Sequence, residues 1–279
     1  MLSNGSRQTT RASIMSTVKN SELIEVFLEP IRKCAKYKPA FGQSKGKGLE
    51  YSDFQKLYGE DAFYHWLGLD DPSVYAAHKA AGGLTSVYRQ IGIGSERLFR
   101  SIIMDSFQLT KEQVAWSYEY LKANGKSGTH TLDGLIANAD LNTNDQVKFT
   151  NWLKDAGKFL GVNSQTTKLH SAAFEVRQGY KSADSKRQNA DLRFGMRAYQ
   201  VQILPVFAVL SSQVSFPVIK RYQSDRMLIL RGTLEDNPMT STFAFSKHVL
   251  GFDLEDFFKA NHKTFKKEVT AVVEKLLST

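Results

Sequence analysis

The sequence predicts a mixed α/β protein with a helical first half and a second half built on a mixed central sheet flanked by helices. Three observations lead there. Apolar residues recur at three- and four-residue spacings near 20–37, 52–67, 72–81, 84–105 and 110–124, with Gly, Pro, Asp and Lys-rich breaks between. Short apolar or alternating runs follow at 129–136, 172–177, 201–210 and 227–230, as strands require. Helical spacing returns at 143–159, 185–200 and 254–277, so strands and helices interleave.

Each element has a local reason. Segment 20–37 carries Leu23, Val26, Phe27 and Ile31 on one stripe, interrupted by Pro30. Helix 143–159 has an Asn144-Asp145 start and a Trp152, Leu153, Phe159 stripe, and helix 185–200 begins at a capping-type Ser185. The run 201–210 is apolar throughout, the mark of a buried strand. Residues 1–19 hold no acid and no continuous apolar stretch, so they read as a flexible arm and not as a secretory signal. Residues 20–279 then form one domain, with a helical portion over 20–126 and an α/β core over about 127–279. No repeat or low-complexity linker divides it.

Composition narrows the chemistry. The 279 residues carry 37 Lys and Arg against 28 Asp and Glu, a formal charge of +9, which suits a polyanionic partner. From Lys168 to Arg226 ten cations stand against four acids, so most of the excess is local. A single cysteine, Cys34, excludes an internal disulfide and a multi-cysteine zinc site, fits a reducing cytoplasm and reads as buried packing. The six histidines show no ligand spacing for a zinc or HNH centre. No apolar run is long enough to cross a bilayer, so no membrane partner is expected.

Two carboxylates fall at strand positions: Asp133, at the bend of 129–136, and Glu175, near the end of 172–177. A lone acid in a short apolar strand is costly unless it is exposed at the strand end or coordinates something. Hydrolysis of a phosphodiester needs an activated water, charge stabilisation and help for the leaving alkoxide, all of which Mg²⁺ held by two or three acids supplies. Glu96, in Ser95-Glu96-Arg97, offers a third acid. Bland readings stand beside these: a turn residue before Gly134 for Asp133, and a dipole-favoured helix acid for Glu96.

The string Glu175-Val176-Arg177-Gln178-Gly179-Tyr180-Lys181-Ser182, continued by Asp184 to Asp191, resembles type II restriction endonucleases of the ApaLI-like family. Residues 82–99 and 249–254 share the likeness, which extends from about Glu29 to Leu277. The resemblance implies a PD-(D/E)xK nuclease core, a Mg²⁺ requirement, a homodimer and a short palindromic site in double-stranded DNA, with GTGCAC the sequence it suggests. It further implies a bacterial cytoplasmic protein paired functionally with a DNA methyltransferase. Two-fold symmetry argues for the dimer as well, since a palindrome presents two identical half-sites; the apolar Phe63 to Leu67 segment suits that interface or the core equally.

One position departs from the nuclease pattern. Asp133 and Glu175 fill its acidic places, but Arg177 stands where a lysine is expected, and arginine does not give up its proton to serve as a base. Arg177 is left to orient and neutralise the scissile phosphate, and Lys181 or the cation itself to activate water. Beyond it, Ser185, Lys186, Arg187, Gln188, Asn189 and Arg193 read as a DNA-contacting helix, with cations suited to guanine or phosphate and amides suited to adenine. Lys220 and Arg221 form a second basic patch. Two other functions use the same features: a DNA-binding protein that does not cut, which leaves the strand carboxylates unexplained, and a repair or recombination nuclease on the same core.

Overall fold

The computed structural model describes residues 5–42, 48–122, 124–163, 165–180 and 185–278, without the side chains of 5–18, 185 and 186. Helix α1 (Gly5–Arg32) leads into a tight turn at Lys33–Lys36, followed by α2 (Tyr51–Gly59), α3 (Ala62–Trp66) and the long α4 (Pro72–Phe107). Strands β1 (Ser117–Leu121), β2 (Ser127–Thr131) and β3 (Gly134–Ala137) precede α5 (Thr143–Phe159), β4 (Ser171–Arg177), α6 (Ser185–Gln200) and β5 (Ile203–Val209). The chain closes with α7 (Phe216–Ser224), β6 (Leu228–Leu230), α8 (Thr242–Phe245), α9 (Leu254–Ala260) and α10 (His262–Leu277). This is the mixed α/β architecture expected, with a helical first half and a mixed sheet flanked by helices.

The chain divides into two compact units, Met1–Gly94 with Ala260–Thr279 and Ser95–Lys259. In the first unit, glycines allow helices to approach closely. A Cβ on Gly83 would lie 2.5 Å from a Leu276 methyl, and one on Gly94 2.4 Å from the Phe27 carbonyl oxygen. That is why Gly82-Gly83 does not end the helix: two predicted segments, 72–81 and 84–105, are one continuous α4. Cys34 is buried with Val87, Val272 and Leu276, as expected of packing. Arg32 joins α1 to α10 through Glu268 at 2.7 Å.

The second unit holds two sheets. Strands β1 and β2 form an antiparallel ribbon, while the four-stranded sheet runs β3-β4-β5-β6 with β3 antiparallel to β4 and the other pairs parallel. Every residue of β5 is buried, which explains its unbroken apolar run. One face of the sheet packs Ala173, Phe207 and Ile229 against Phe194 and Ala198 of α6 and Val218 and Tyr222 of α7. Its other face sets Phe174 among Phe99 of α4 and Phe245 of α8, with Trp152 of α5 tilted against Phe245.

Four expectations change. The stretch 110–124 is not helical: its second half is β1, whose Tyr118 and Tyr120 alternate with exposed residues and pair with β2. The single strand expected over 129–136 breaks at Leu132-Asp133 and serves two different sheets. Backbone from Gly5 to residue 19, expected as a loose arm, continues α1. Phe63, Trp66 and Leu67 are exposed, which removes them from the core.

Gly94→Ala tests the close approach. Alanine normally favours a helix over glycine by about 1 kcal/mol, but here its methyl meets backbone; the substitution is expected to destabilise by about 1–3 kcal/mol, seen as a lower thermal midpoint.

Candidate active site

Strand β4 carries the site. Alternation sends Glu175 and Arg177 to the same face, one step apart, while Phe174 and Val176 enter the core on the other. The register that pairs Gly134 with Phe174 brings the preceding residue, Asp133, to the level of Glu175 on the neighbouring strand. Asp133 is held firmly there. Its N–H donates to the Phe174 carbonyl at 2.9 Å, its Oδ2 accepts from the Val176 N–H at 2.8 Å, and Arg100 Nε donates to its carbonyl at 2.8 Å. Arg100 also lies 3.8 Å from Oδ1.

Glu96, one helical turn before Arg100 on α4, completes an acidic group whose members feel one another. Burial, and then the charges of Glu175 and Glu96, push the Asp133 carboxyl up to about 7. Burial and the Glu175 charge likewise raise Glu96. Three acids this close are favourable as anions only beside a compensating cation.

Arg177 supplies part of the compensation, from below. It is 5% exposed; one nitrogen, Nη2, donates to Glu175 Oε1 at 3.0 Å and to Asp191 Oδ1 at 2.7 Å. Its guanidinium lies 5.0 Å from the centre of the Tyr180 ring. Asp191, on the buried side of α6, also accepts from the hydroxyls of Tyr180 and Tyr222. Burial raises the Asp191 carboxyl, and the Arg177 charge draws it back. Arg177 thus faces inward, tied to two carboxylates, instead of presenting its donors to a phosphate.

On the open side stands His130 of β2. Its Nδ1 is 2.9 Å from Tyr118 Oη, and its Nε2 is 3.6 Å from Glu175 Oε2, a contact that raises its pKa. Neither His130 nor Asp191 is prominent in the sequence. Asp191 shares an apolar stripe with Phe194 and Ala198, and an acid on such a stripe is a signal of a buried partner; His130 becomes meaningful only once 117–131 is seen as a ribbon.

The predicted DNA-contacting residues divide. Arg187 is exposed, 5.6 Å from the Tyr180 ring centre, and Arg193 is exposed on α6. Gln188 is buried and Asn189 lies beside it; both amide oxygens accept from Arg221, at 2.8 and 3.1 Å, so these three residues join α6 to α7 instead of standing free for base edges. Lys220 covers the Phe216 ring. Lys181 and the side chains of Ser185 and Lys186 fall outside the described residues.

Carboxylate oxygens are the donors a hard divalent cation takes, and the raised Asp133 marks a place where such a cation is electrostatically wanted. Asp133 and Glu175, with Glu96 as third acid, would hold it. Among the described residues, no group of three or more His, Cys, Asp and Glu side chains is drawn together tightly enough to ligate a metal as it stands. No helix among them is long and apolar enough to cross a membrane.

No family model matches the chain, and no curated protein or solved structure matches it significantly.

Two outcomes follow from this geometry. Because Asp133 titrates near 7 in the folded chain, above its ordinary 3.8, the folded state holds that proton more tightly. In chelator, the Asp133 contribution to stability should therefore be fully present below the ordinary carboxylate range and be lost as pH rises through about 7. Thermal melts across that window should show a shallower decline for Asp133→Asn, and a higher midpoint than wild type above it. Separately, Asp191→Ala removes the nearer of the two carboxylates that meet the buried Arg177 charge and should cost about 3 kcal/mol in denaturant unfolding.

Proposed function

We propose that this chain is a Mg²⁺-dependent DNA endonuclease of the type II restriction kind. The observation that carries the reading is the meeting of Asp133 and Glu175 across the β3–β4 pair, with Glu96 near enough for its charge to help raise the Asp133 carboxyl. An antiparallel strand pair with an acid on each member, then a helical crossover to a parallel strand, is the arrangement the PD-(D/E)xK nuclease core calls for. The Glu175-Val176-Arg177 string supports it with one substitution.

When bound, the cation would polarise the scissile phosphate and lower the pKa of an attacking water. The chain's own residues divide the remaining tasks. Asp133 keeps its position because its main chain and one carboxylate oxygen are pinned to β4. Arg177 holds Glu175 in place and acts as a positioning residue. Arg100, partly exposed and 3.8 Å from the Asp133 carboxylate, is the guanidinium able to reach a phosphate. The basic stretch around α6 draws duplex DNA to the site. A homodimer acting on a palindrome, for which GTGCAC is the candidate, and a companion methyltransferase complete the proposal.

Incubating the protein with plasmid DNA and Mg²⁺ is the direct test. Discrete fragments on a gel are expected. A smear would identify a nuclease without sequence preference, and intact DNA accompanied by a mobility shift would identify a binding protein that does not cut. Glu175→Ala should lose all cleavage while still binding DNA in Ca²⁺; cleavage retained by this variant removes Glu175 from the site.

A further inference from the structure

The carboxylate centre occupies one end of a longer surface. From Glu175, contact passes to His130 at 3.6 Å and on to Tyr118 at 2.9 Å, and Tyr118 is a wall of a groove of about 290 Å³ between the β1–β2 ribbon and α6. The ribbon contributes Tyr118, Tyr120 and Leu121, and the helix contributes Arg193, Met196 and Arg197. Among the described residues, two guanidiniums line this groove and no acid does. The ribbon's one acid, Glu119, is exposed and does not line the groove.

The cations are arranged, not merely exposed. Arg193 lies 5.5 Å from the centre of the Tyr120 ring, a distance at which the ring face holds a guanidinium. Tyr120 is in turn accommodated by its cross-strand partner Gly128, where a Cβ would come within 3.0 Å of the ring. Arg197 Nη1 donates to Gln200 Oε1 at 3.0 Å, which fixes the second guanidinium one turn further along α6. Tyr118, Leu121 and Met196 leave apolar surface between the charges, suited to the deoxyribose between two phosphates. Lys122 and Lys126, at the ribbon's turn, extend the positive edge.

We propose that this groove is a second substrate subsite, binding the sugar-phosphate backbone of duplex DNA on the flank of the scissile bond, with Arg193 and Arg197 as phosphate contacts and Tyr120 as the residue that positions Arg193. The proposal rests on the reading of the carboxylates as a phosphodiester centre, because that centre brings a duplex to the groove. It also moves DNA contact from the first turn of α6, where Gln188 and Asn189 are engaged by Arg221, to its last two turns and the facing ribbon.

Binding of a fluorescein-labelled duplex of mixed sequence, measured by anisotropy in Ca²⁺ over a series of salt concentrations, tests it. Arg193→Ala and Arg197→Ala should each weaken binding roughly tenfold and flatten the plot of log affinity against log salt by about 0.9. Tyr120→Ala should weaken binding, and Tyr120→Phe, which keeps the ring, should not. Lys158→Ala, a highly exposed cation on α5 away from the groove, serves as control and should leave the slope unchanged. The proposal is overturned if neither arginine variant changes the slope, if Lys158→Ala changes it equally, or if the wild type binds no duplex. Plasmid cleavage in Mg²⁺, run beside it, separates the two ideas: cutting with unaltered slopes defeats the groove alone, and groove-dependent binding without cutting defeats the phosphodiester centre alone.

Discussion

Arg177 imposes the constraint around which the second unit is organised. A guanidinium cannot shed its charge, and removing it from water costs several kcal/mol unless anions meet it. Here the anions come from two directions. Asp191 meets it from the helix that follows the strand, and Glu175 from two residues earlier on the strand itself. The requirement therefore sets which face of α6 turns inward, brings Tyr180 and Tyr222 to the same carboxylate, and steadies Glu175 against the repulsion of Asp133. A lysine in that place would present one flexible ammonium, without the planar group that lies 5.0 Å from the Tyr180 ring centre.

The acidic side of the site follows from hydrogen bonding in the β3–β4 pair. Because the Val176 N–H is bonded to an Asp133 side-chain oxygen, and the Phe174 carbonyl to its N–H, the carboxylate is part of the sheet's own pairing. Its position is as reliable as the register, and so is its unfavourable closeness to Glu175. Local stability is given up at a point where charge density is useful, a combination characteristic of sites that bind cations or protons.

Much of this was legible in the sequence, for identifiable reasons. Helix α5 matches its expected span on the strength of Trp152 and Leu153, although its cap is Asn142 and Phe159 is exposed, and β4 and β5 were visible as apolar runs. Asp133, Glu175 and Arg177 do converge. The ribbon was not legible: Trp116, Tyr118 and Tyr120 alternate for too short a distance to outweigh the helical spacing before them, and β2 runs into β3 with only two residues between. The union of 72–81 with 84–105 was hidden by Gly82-Gly83, whose role depends on Tyr37 and Leu276, distant in sequence. The inward turn of Arg177 depended on Asp191, and the engagement of Gln188 and Asn189 on Arg221, partners on other elements that spacing along one segment does not reveal.

The separate sheet of β1 and β2 has an evolutionary consequence. Its register is set by its own cross-strand hydrogen bonds and by the turn at Gly125, whose φ of +75° suits glycine. Among the described residues, no strand of the four-stranded sheet pairs with it. Lineages descending from such a chain are free to lengthen, shorten or recompose this finger at its tip, where insertions are best tolerated, while the strands bearing the acids stay in register. The acid-bearing strands and the ribbon are thus separate pieces of one short stretch of sequence, linked in the chain by Leu132 and Asp133.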